Sequence, residues 1–207
     1  LKNAFKLIDA AKSCEVDAVK FQTYKLDNFL SNSINSKTYN RMRKFQIKFN
    51  DFLKIKKYCN KKKIDFFSTP LDLESAFFLN KIQNIFKISS GDNNYYELID
   101  LIKSFNKPII ISTGLLNLSD ITKLKNYIKK NWIKKKNFLC LMHCVSSYPA
   151  PDDQINLSVI KSFVNKYDDC IIGYSDHSMG PYASIYSVAC GAKIVEKHFT
   201  LDKNFSD

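Results

Sequence analysis

The residues able to do chemistry gather at the ends of short apolar runs. His177 and His198 close two successive runs, Ile171–His177 and Lys193–Phe199. In a sheet of parallel strands their imidazoles are neighbours, and two converging imidazoles hold a divalent metal while water or substrate fills the open positions. Side chains alternate along a strand, so Ser175 shares a face with His177, and Glu196 with His198. Glu196 is then placed to orient a ligand or a metal-bound water. The plainer alternative is a pair of hydrogen-bonded structural histidines. His143 has no partner of this kind and is read as structural. Lys20 and Lys87 lie inside apolar runs, where an ammonium is costly unless it is paired or meets an anion. With Thr69, Ser90, Ser112 and Ser175 they make a cationic, hydroxyl-lined pocket suited to phosphate plus carboxylate. Alternatively, one of these lysines forms a Schiff base with a carbonyl substrate.

These groups need a scaffold that brings strand ends together. Apolar runs recur along the chain at Asp17–Gln22, Asp65–Pro70, Ile85–Gly91, Pro108–Gly114, Phe138–Cys144, Ile171–His177 and Lys193–Phe199. Amphipathic stretches separate them, at Phe52–Cys59, Leu73–Leu79, Tyr96–Ile102, Ile121–Ile128 and Leu157–Val164. Ser119 and Asp120 are expected to cap one helix, and Asn156 another. Apolar strands alternating with helices indicate a parallel α/β sheet covered on both sides. A spacing of roughly 30 residues per strand matches an eight-stranded (β/α)8 TIM barrel of ~250 residues. A doubly wound sheet is the rival, but no G-x-G-x-x-G phosphate loop is present. The chain opens on helical spacing (Leu1, Ala4, Phe5, Ile8, Ala11), so the first barrel strand is expected to be missing and residues 1–207 to be a partial barrel domain. Each run starts apolar and ends polar, which places the chemistry at the carboxyl ends of the strands, where barrel active sites lie.

Composition narrows the function classes. The 207 residues carry 32 Lys+Arg against 20 Asp+Glu, a formal charge of +12. Arg41 and Arg43 are the only arginines. Lysine is a solvated point charge rather than a bidentate fork, so phosphate-reading nucleic-acid surfaces are disfavoured. The runs Lys61–Lys63, Lys129–Lys130 and Lys134–Lys136 read as solvated helix ends or loops. A basic polyanion-binding domain remains the non-enzyme alternative. No run of about 18 uncharged apolar residues exists, so no membrane partner is expected. Six cysteines without a C-x-x-C pair read as reduced thiols of a cytoplasmic protein.

Taken together, the motifs resemble the sialic acid synthases, the N-acetylneuraminate synthase family that also makes legionaminic and pseudaminic acids. The resemblance runs through DAVKFQTYK (Asp17–Lys25), FFSTPLDLESAFFL (Phe66–Leu79), FKISSGDNNYYELI (Phe86–Ile99), KPIIISTG (Lys107–Gly114), HCVSSYPAP (His143–Pro151), GYSDHS (Gly173–Ser178) and VEKHFTLDKN (Val195–Asn204). It implies a barrel enzyme that condenses phosphoenolpyruvate with the open-chain aldehyde of an N-acylated hexosamine, releasing phosphate. It implies Mn2+ or Mg2+ on His177 and His198. Phosphoenolpyruvate contacts match Lys20, Thr69, Lys87, Ser90, Ser112 and Ser175, and sugar contacts match Gln22 and Tyr148. Asp92 and Glu196 match acidic residues of the site and are the candidates for taking a proton from attacking water.

Some positions depart from the family pattern. Asp92 stands where many members carry Glu, and Ser146 where some place an Asn near phosphoenolpyruvate. The family's C-terminal antifreeze-like domain, which covers the partner's site in a homodimer, is not in this sequence. The resemblance therefore implies a homodimeric full-length enzyme, with little or no activity for these 207 residues alone.

Overall fold

The computed structural model describes residues 1–31, 34–130, 132 and 139–204. They fall into two compact units, residues 1–86 with 199–204, and residues 87–198. Lys134–Lys136 and Phe138, singled out in the sequence, lie outside the described residues.

The first unit runs α1 (Lys2–Ser13), β1 (Ala18–Thr23), α2 (Leu26–Phe29), α3 (Ser36–Phe45), α4 (Phe49–Lys62), β2 (Asp65–Pro70) and α5 (Leu73–Asn80). Strands β1 and β2 pair in parallel, Val19 against Phe66 and Gln22 against Thr69. One face of this ladder packs on α1 and α4 through Ala4, Ile8, Val19, Phe52, Ile55, Cys59 and Phe66. Phe52 and Ile55 are fully buried there, each contributing about 1.5–3 kcal/mol of apolar transfer energy. Helix ends follow capping chemistry: the Asp72 carboxylate accepts the Ser75 amide at the start of α5, and Asn35 accepts Thr38 N at the start of α3. Asp72 also accepts the Lys25 amide at 2.8 Å, tying the chain after β1 to the chain after β2.

The second unit continues from β3 (Phe86–Ile88) through α6 (Tyr96–Ser104), β4 (Ile109–Ser112), α7 (Leu118–Lys129), β5 (Leu139–Cys144), α8 (Ser158–Lys166), β6 (Ile171–Asp176), α9 (Tyr182–Ala189) and β7 (Ile194–Lys197). Strands β3 to β7 form one sheet in chain order. Each pairing from β4 to β7 is parallel, with helices as crossovers. The central strand β5 is buried along its whole length, as expected of a strand covered on both faces. The α/β class with parallel strands is therefore observed.

Details depart from the sequence reading. The run expected through Gly91 is a strand only to Ile88, after which Ser90–Asp92 make a single 3-10 turn. The cap of α7 is Asn117, which accepts Asp120 N, rather than Ser119 or Asp120. Asn156 does not cap α8; it takes a left-handed φ of 46° and accepts the Ser158 hydroxyl. His177 and His198 stand just beyond β6 and β7, so only His143 lies within a strand. Among the described residues no helix is long and apolar enough to cross a membrane. All six cysteines are free thiols, four of them buried.

Candidate functional site

Strand register decides which side chains share a face. In the second unit Met142 pairs with Ser112 and Gly173, and Cys144 with Ser175, which in turn pairs with Glu196. These residues project from one face, the site face. His143, Tyr174, Asp176 and Lys197 alternate with them and point to the other, the helix face.

On the site face Lys87 of β3 is 2% exposed, and its Nζ meets Glu196 Oε1 at 3.4 Å. The same carboxylate oxygen accepts the Ser175 hydroxyl at 3.0 Å. Ser112 Oγ is buried with no hydrogen-bond partner among the described residues. A buried hydroxyl without a partner loses its hydration for nothing, a cost that a ligand oxygen recovers. Asp92, in the turn after β3, is half-buried; burial pushes its carboxyl up to about 6 against the opposing pull of Lys87. Ser90 and Ser146 converge on Gly114: Ser90 Oγ accepts the Gly114 amide at 3.2 Å, and a Cβ at Gly114 would collide with both hydroxyls. Asn93, buried beside them, donates to the Gly114 carbonyl at 2.9 Å and holds this turn in place.

The histidines adjoin this cluster. His177 Nδ1 donates to the Val145 carbonyl at 2.7 Å, which leaves Nε2 as the basic nitrogen. Ser175 Oγ lies 3.4 Å from that nitrogen and the Tyr148 hydroxyl 3.0 Å. The Tyr148 ring stacks on the imidazole with centroids 4.0 Å apart. The His198 ring centroid is 5.5 Å from that of His177 and 5.4 Å from that of Tyr148. Burial lowers the His177 pKa, opposed by the Val145 carbonyl and Glu196, so the ring is held neutral, the form a metal requires. Among the described residues no group of three or more His, Cys, Asp or Glu is arranged around a metal position. The donor set therefore fits a divalent ion only as an open two-imidazole site, with His177 Nδ1 anchored on a backbone carbonyl as metal-ligating histidines usually are.

Thus the structure brings together Lys87, Ser175, His177, Glu196 and His198 with Tyr148, and separately clusters Ser90 and Ser146 about Gly114. Lys20, Gln22 and Thr69 belong to the first unit. They share the face of the β1–β2 ladder opposite its apolar core: Lys20 half-buried, Gln22 exposed, and Thr69 buried with an unpartnered hydroxyl. His143 is structural, as read from sequence: its Nε2 is 2.8 Å from the Ile155 carbonyl, and burial lowers its pKa.

Sequence reasoning missed Gly114, Asn93, Cys144 and the Asp176–Lys197 pair. Cys144 Sγ lies 3.8 Å from His177 Nδ1. Asp176, 1% exposed, meets Lys197 Nζ at 2.8 Å. Burial works to raise the Asp176 carboxyl, but hydrogen bonds from Lys197, Ser178 and Ser184 overcome it and hold it at about 2. The signal available for this pair was an aspartate and a lysine each adjoining a candidate histidine.

Fold and site together define a class: a parallel α/β protein whose strand ends carry a cationic, hydroxyl-lined cluster beside paired imidazoles. The chain belongs to the NeuB family, whose profile matches residues 7–207. It is 37% identical to the N,N'-diacetyllegionaminic acid synthase of Campylobacter jejuni over 219 residues, covering 100% of this chain and 65% of that protein. It is 39% identical to an uncharacterized protein of Methanocaldococcus jannaschii over 200 residues, covering 96% of this chain and 58% of that protein. Among solved structures, the N-acetylneuraminic acid (sialic acid) synthetase of Leptospira borgpetersenii serovar Hardjo-bovis in complex with citrate superposes with a TM-score of 0.89 at 35% identity. That match covers 97% of this chain and 68% of the synthetase. The chain spans 58% and 65% of the lengths of the two curated relatives named.

Proposed function

We propose that the protein condenses phosphoenolpyruvate with the open-chain aldehyde of an N-acylated hexosamine, giving a sialic-acid-like nonulosonic acid and phosphate. The observation that carries this reading is the site-face cluster of buried Lys87, its partner Glu196 and the unpartnered Ser112 hydroxyl, set beside two imidazoles in a NeuB-family chain. The enol carbon of phosphoenolpyruvate bonds to the aldehyde carbon, and the aldehyde oxygen becomes a hydroxyl. Water adds to the electron-poor C2, and the bond between C2 and the bridging phosphate oxygen then breaks, so that phosphate leaves with that oxygen and the C2 hydroxyl loses its proton to give a 2-oxo acid.

Each residue has a task in this scheme. Lys87 offsets the phosphate and carboxylate charge, and fixing both reactants supplies effective molarity. The Ser90, Ser112 and Ser146 hydroxyls donate to anionic oxygens, and Ser175 with Glu196 keeps the lysine oriented. Asp92, with its carboxyl near 6, takes the proton of the attacking water. Glu196 is the second candidate for that role. Tyr148, exposed beside His177, contacts the sugar. His177 and His198 would hold Mn2+ or Mg2+, which when bound supplies Lewis-acid polarisation of the aldehyde carbonyl. In the first unit, the unpartnered Thr69 hydroxyl supports ligand contacts there for Lys20, Gln22 and Thr69. A Schiff base on Lys87 or Lys20 is the alternative reading, and borohydride trapping separates the two. The (β/α)8 barrel, the homodimer and the cytoplasmic setting belong to the same proposal.

The test is phosphate release from phosphoenolpyruvate with Mn2+ and a panel of aldehydes, N-acetylmannosamine and a 6-deoxy diacetamido sugar among them. Oxygen-18 in the C–O–P bridge should leave with phosphate, and chelator should stop the reaction. Absence of phosphate release with every sugar, from the whole protein, overturns the proposal. Borohydride trapping of a lysine adduct would favour the aldolase instead.

A further inference from the structure

The Asp176–Lys197 pair lies on the opposite face from the chemistry, yet each member directly precedes one of the paired histidines. The two residues are Cα partners at the adjoining ends of β6 and β7. Asp176 is saturated. Its Oδ1 accepts the Ser178 amide at 2.8 Å, the Ser178 hydroxyl at 2.7 Å and the Tyr174 hydroxyl at 3.4 Å. Its Oδ2 accepts the Ser184 hydroxyl of α9 at 2.5 Å and Lys197 Nζ at 2.8 Å. Lys197 Nζ also donates to the Ser178 carbonyl at 2.8 Å. One carboxylate thus ties the chain on both sides of His177 to the residue between Glu196 and His198. Ser178 and Lys197 have few other positions open to them while these contacts persist, so the backbone carrying both imidazoles is over-determined from behind.

We propose that Asp176 and Lys197, with Ser178 and Ser184, form a clamp that sets the separation of His177 and His198, so that divalent-cation affinity depends on residues that never touch the cation. The clamp deepens the metal-site reading above and rests on it for its functional consequence, but not for its structural one. Positioning partners of metal-ligating histidines typically change affinity by about 10–100-fold when removed. Here the effect travels through the strand ends rather than through a contact with the imidazole. Both residues are positioning residues, because neither contacts a reacting atom.

The experiment compares the protein with Lys197→Met, Lys197→Arg and Ser184→Ala. Mn2+ affinity is measured by calorimetry, the imidazole 15N shifts of the metal-free protein by NMR, and folding by thermal melting. Lys197→Met is expected to weaken Mn2+ binding about 10–100-fold and to move the His177 and His198 signals while leaving His143 in place. Lys197→Arg, which keeps a donor for Asp176 and Ser178, should restore most of the affinity. Ser184→Ala removes one donor without changing charge. It should weaken binding to a lesser degree, and it keeps the question open to test if Lys197→Met fails to fold. Affinity within twofold of the parent in every variant, with both imidazole signals unmoved, overturns the clamp and leaves the metal site standing. Moved imidazoles in a protein whose parent binds no Mn2+ would uphold the clamp and overturn the metal site instead. A lowered melting temperature alone, with affinity unchanged well below it, reduces the pair to a structural role and counts against the proposal.

Discussion

The two faces of the β3–β7 sheet put buried polar residues to opposite ends. On the helix face His143, Tyr174 and Asp176 are buried, and each has partners within the protein. On the site face, Ser112 Oγ is buried with no partner among the described residues. A protein selected for stability alone would satisfy both faces, since each unpaired buried polar group costs about 1–3 kcal/mol. Saturation on one side and deficit on the other therefore mark which side meets a ligand. The comparison also bears on two histidines that the sequence reading set apart, His143 as structural and His177 as a metal-ligand candidate. Each gives one ring nitrogen to a backbone carbonyl, Ile155 for His143 and Val145 for His177, but His177 keeps Nε2 at the edge of the cluster beside Tyr148.

The sharpest way to break this contrast is to exchange the costs of the two histidines. His177→Ala should lower metal-dependent phosphate release by at least about 10³-fold, while its melting temperature changes little. His143→Ala should do the reverse. Loss of a buried ring and its hydrogen bond should cost about 2–4 kcal/mol of stability, with turnover preserved in whatever fraction remains folded. Equal effects of the two substitutions on either readout would erase the distinction between the faces.

A smaller effect follows from Asp92. Its carboxyl is raised by burial from 3.8 to about 6, so the folded state holds that proton more tightly than the unfolded chain. Stability should therefore fall as pH rises through the window between those values, and be untouched by this group below it. If Asp92 takes the proton of water, kcat should fall tenfold per unit as pH drops below about 6. Asp92→Asn should remove both trends, flattening the stability profile while abolishing turnover. A parent rate that stays level from pH 7 to pH 5 would take Asp92 out of the proton transfer.

Much of the scaffold was legible because continuous apolar runs bounded by helical spacing leave few alternatives. Ile109–Ser112 is buried at all four positions, and Asp65–Pro70 is a strand at the bounds read from sequence. Helix caps were less legible. Asn117 and Ser119 are both capping types near the same apolar stripe, and only the backbone turn decides which side chain reaches an amide three residues on. Sequence placed polar residues at strand ends, and alternation put Ser175 with His177 and Glu196 with His198, but it did not show what each face meets. Ser175 and Asp176 are neighbours in sequence, yet one points to the lysine–glutamate pair and the other to α9. The partners that settle Asp176, Ser184 and Lys197, come from other elements, which periodicity does not see. Gly114 was invisible for a related reason: its role is the space it leaves for Ser90 and Ser146.

The smallest expected effect bears on the contrast most directly, because it is a change of sign. Ser112→Ala deletes the buried hydroxyl that has no partner, so the folded protein loses a desolvation cost and no hydrogen bond. The fold should gain up to about 1 kcal/mol, read as a rise in melting temperature, while the KM for phosphoenolpyruvate increases because an anionic oxygen loses its donor. The matched change on the helix face, Ser178→Ala, removes a hydroxyl that donates to Asp176 at 2.7 Å and should destabilise instead. If both substitutions lower the melting temperature, then Ser112 is satisfied within the fold after all, and the site face owes its shape to packing rather than to a ligand. Opposite signs would show that the deficit at Ser112 is held in reserve for substrate.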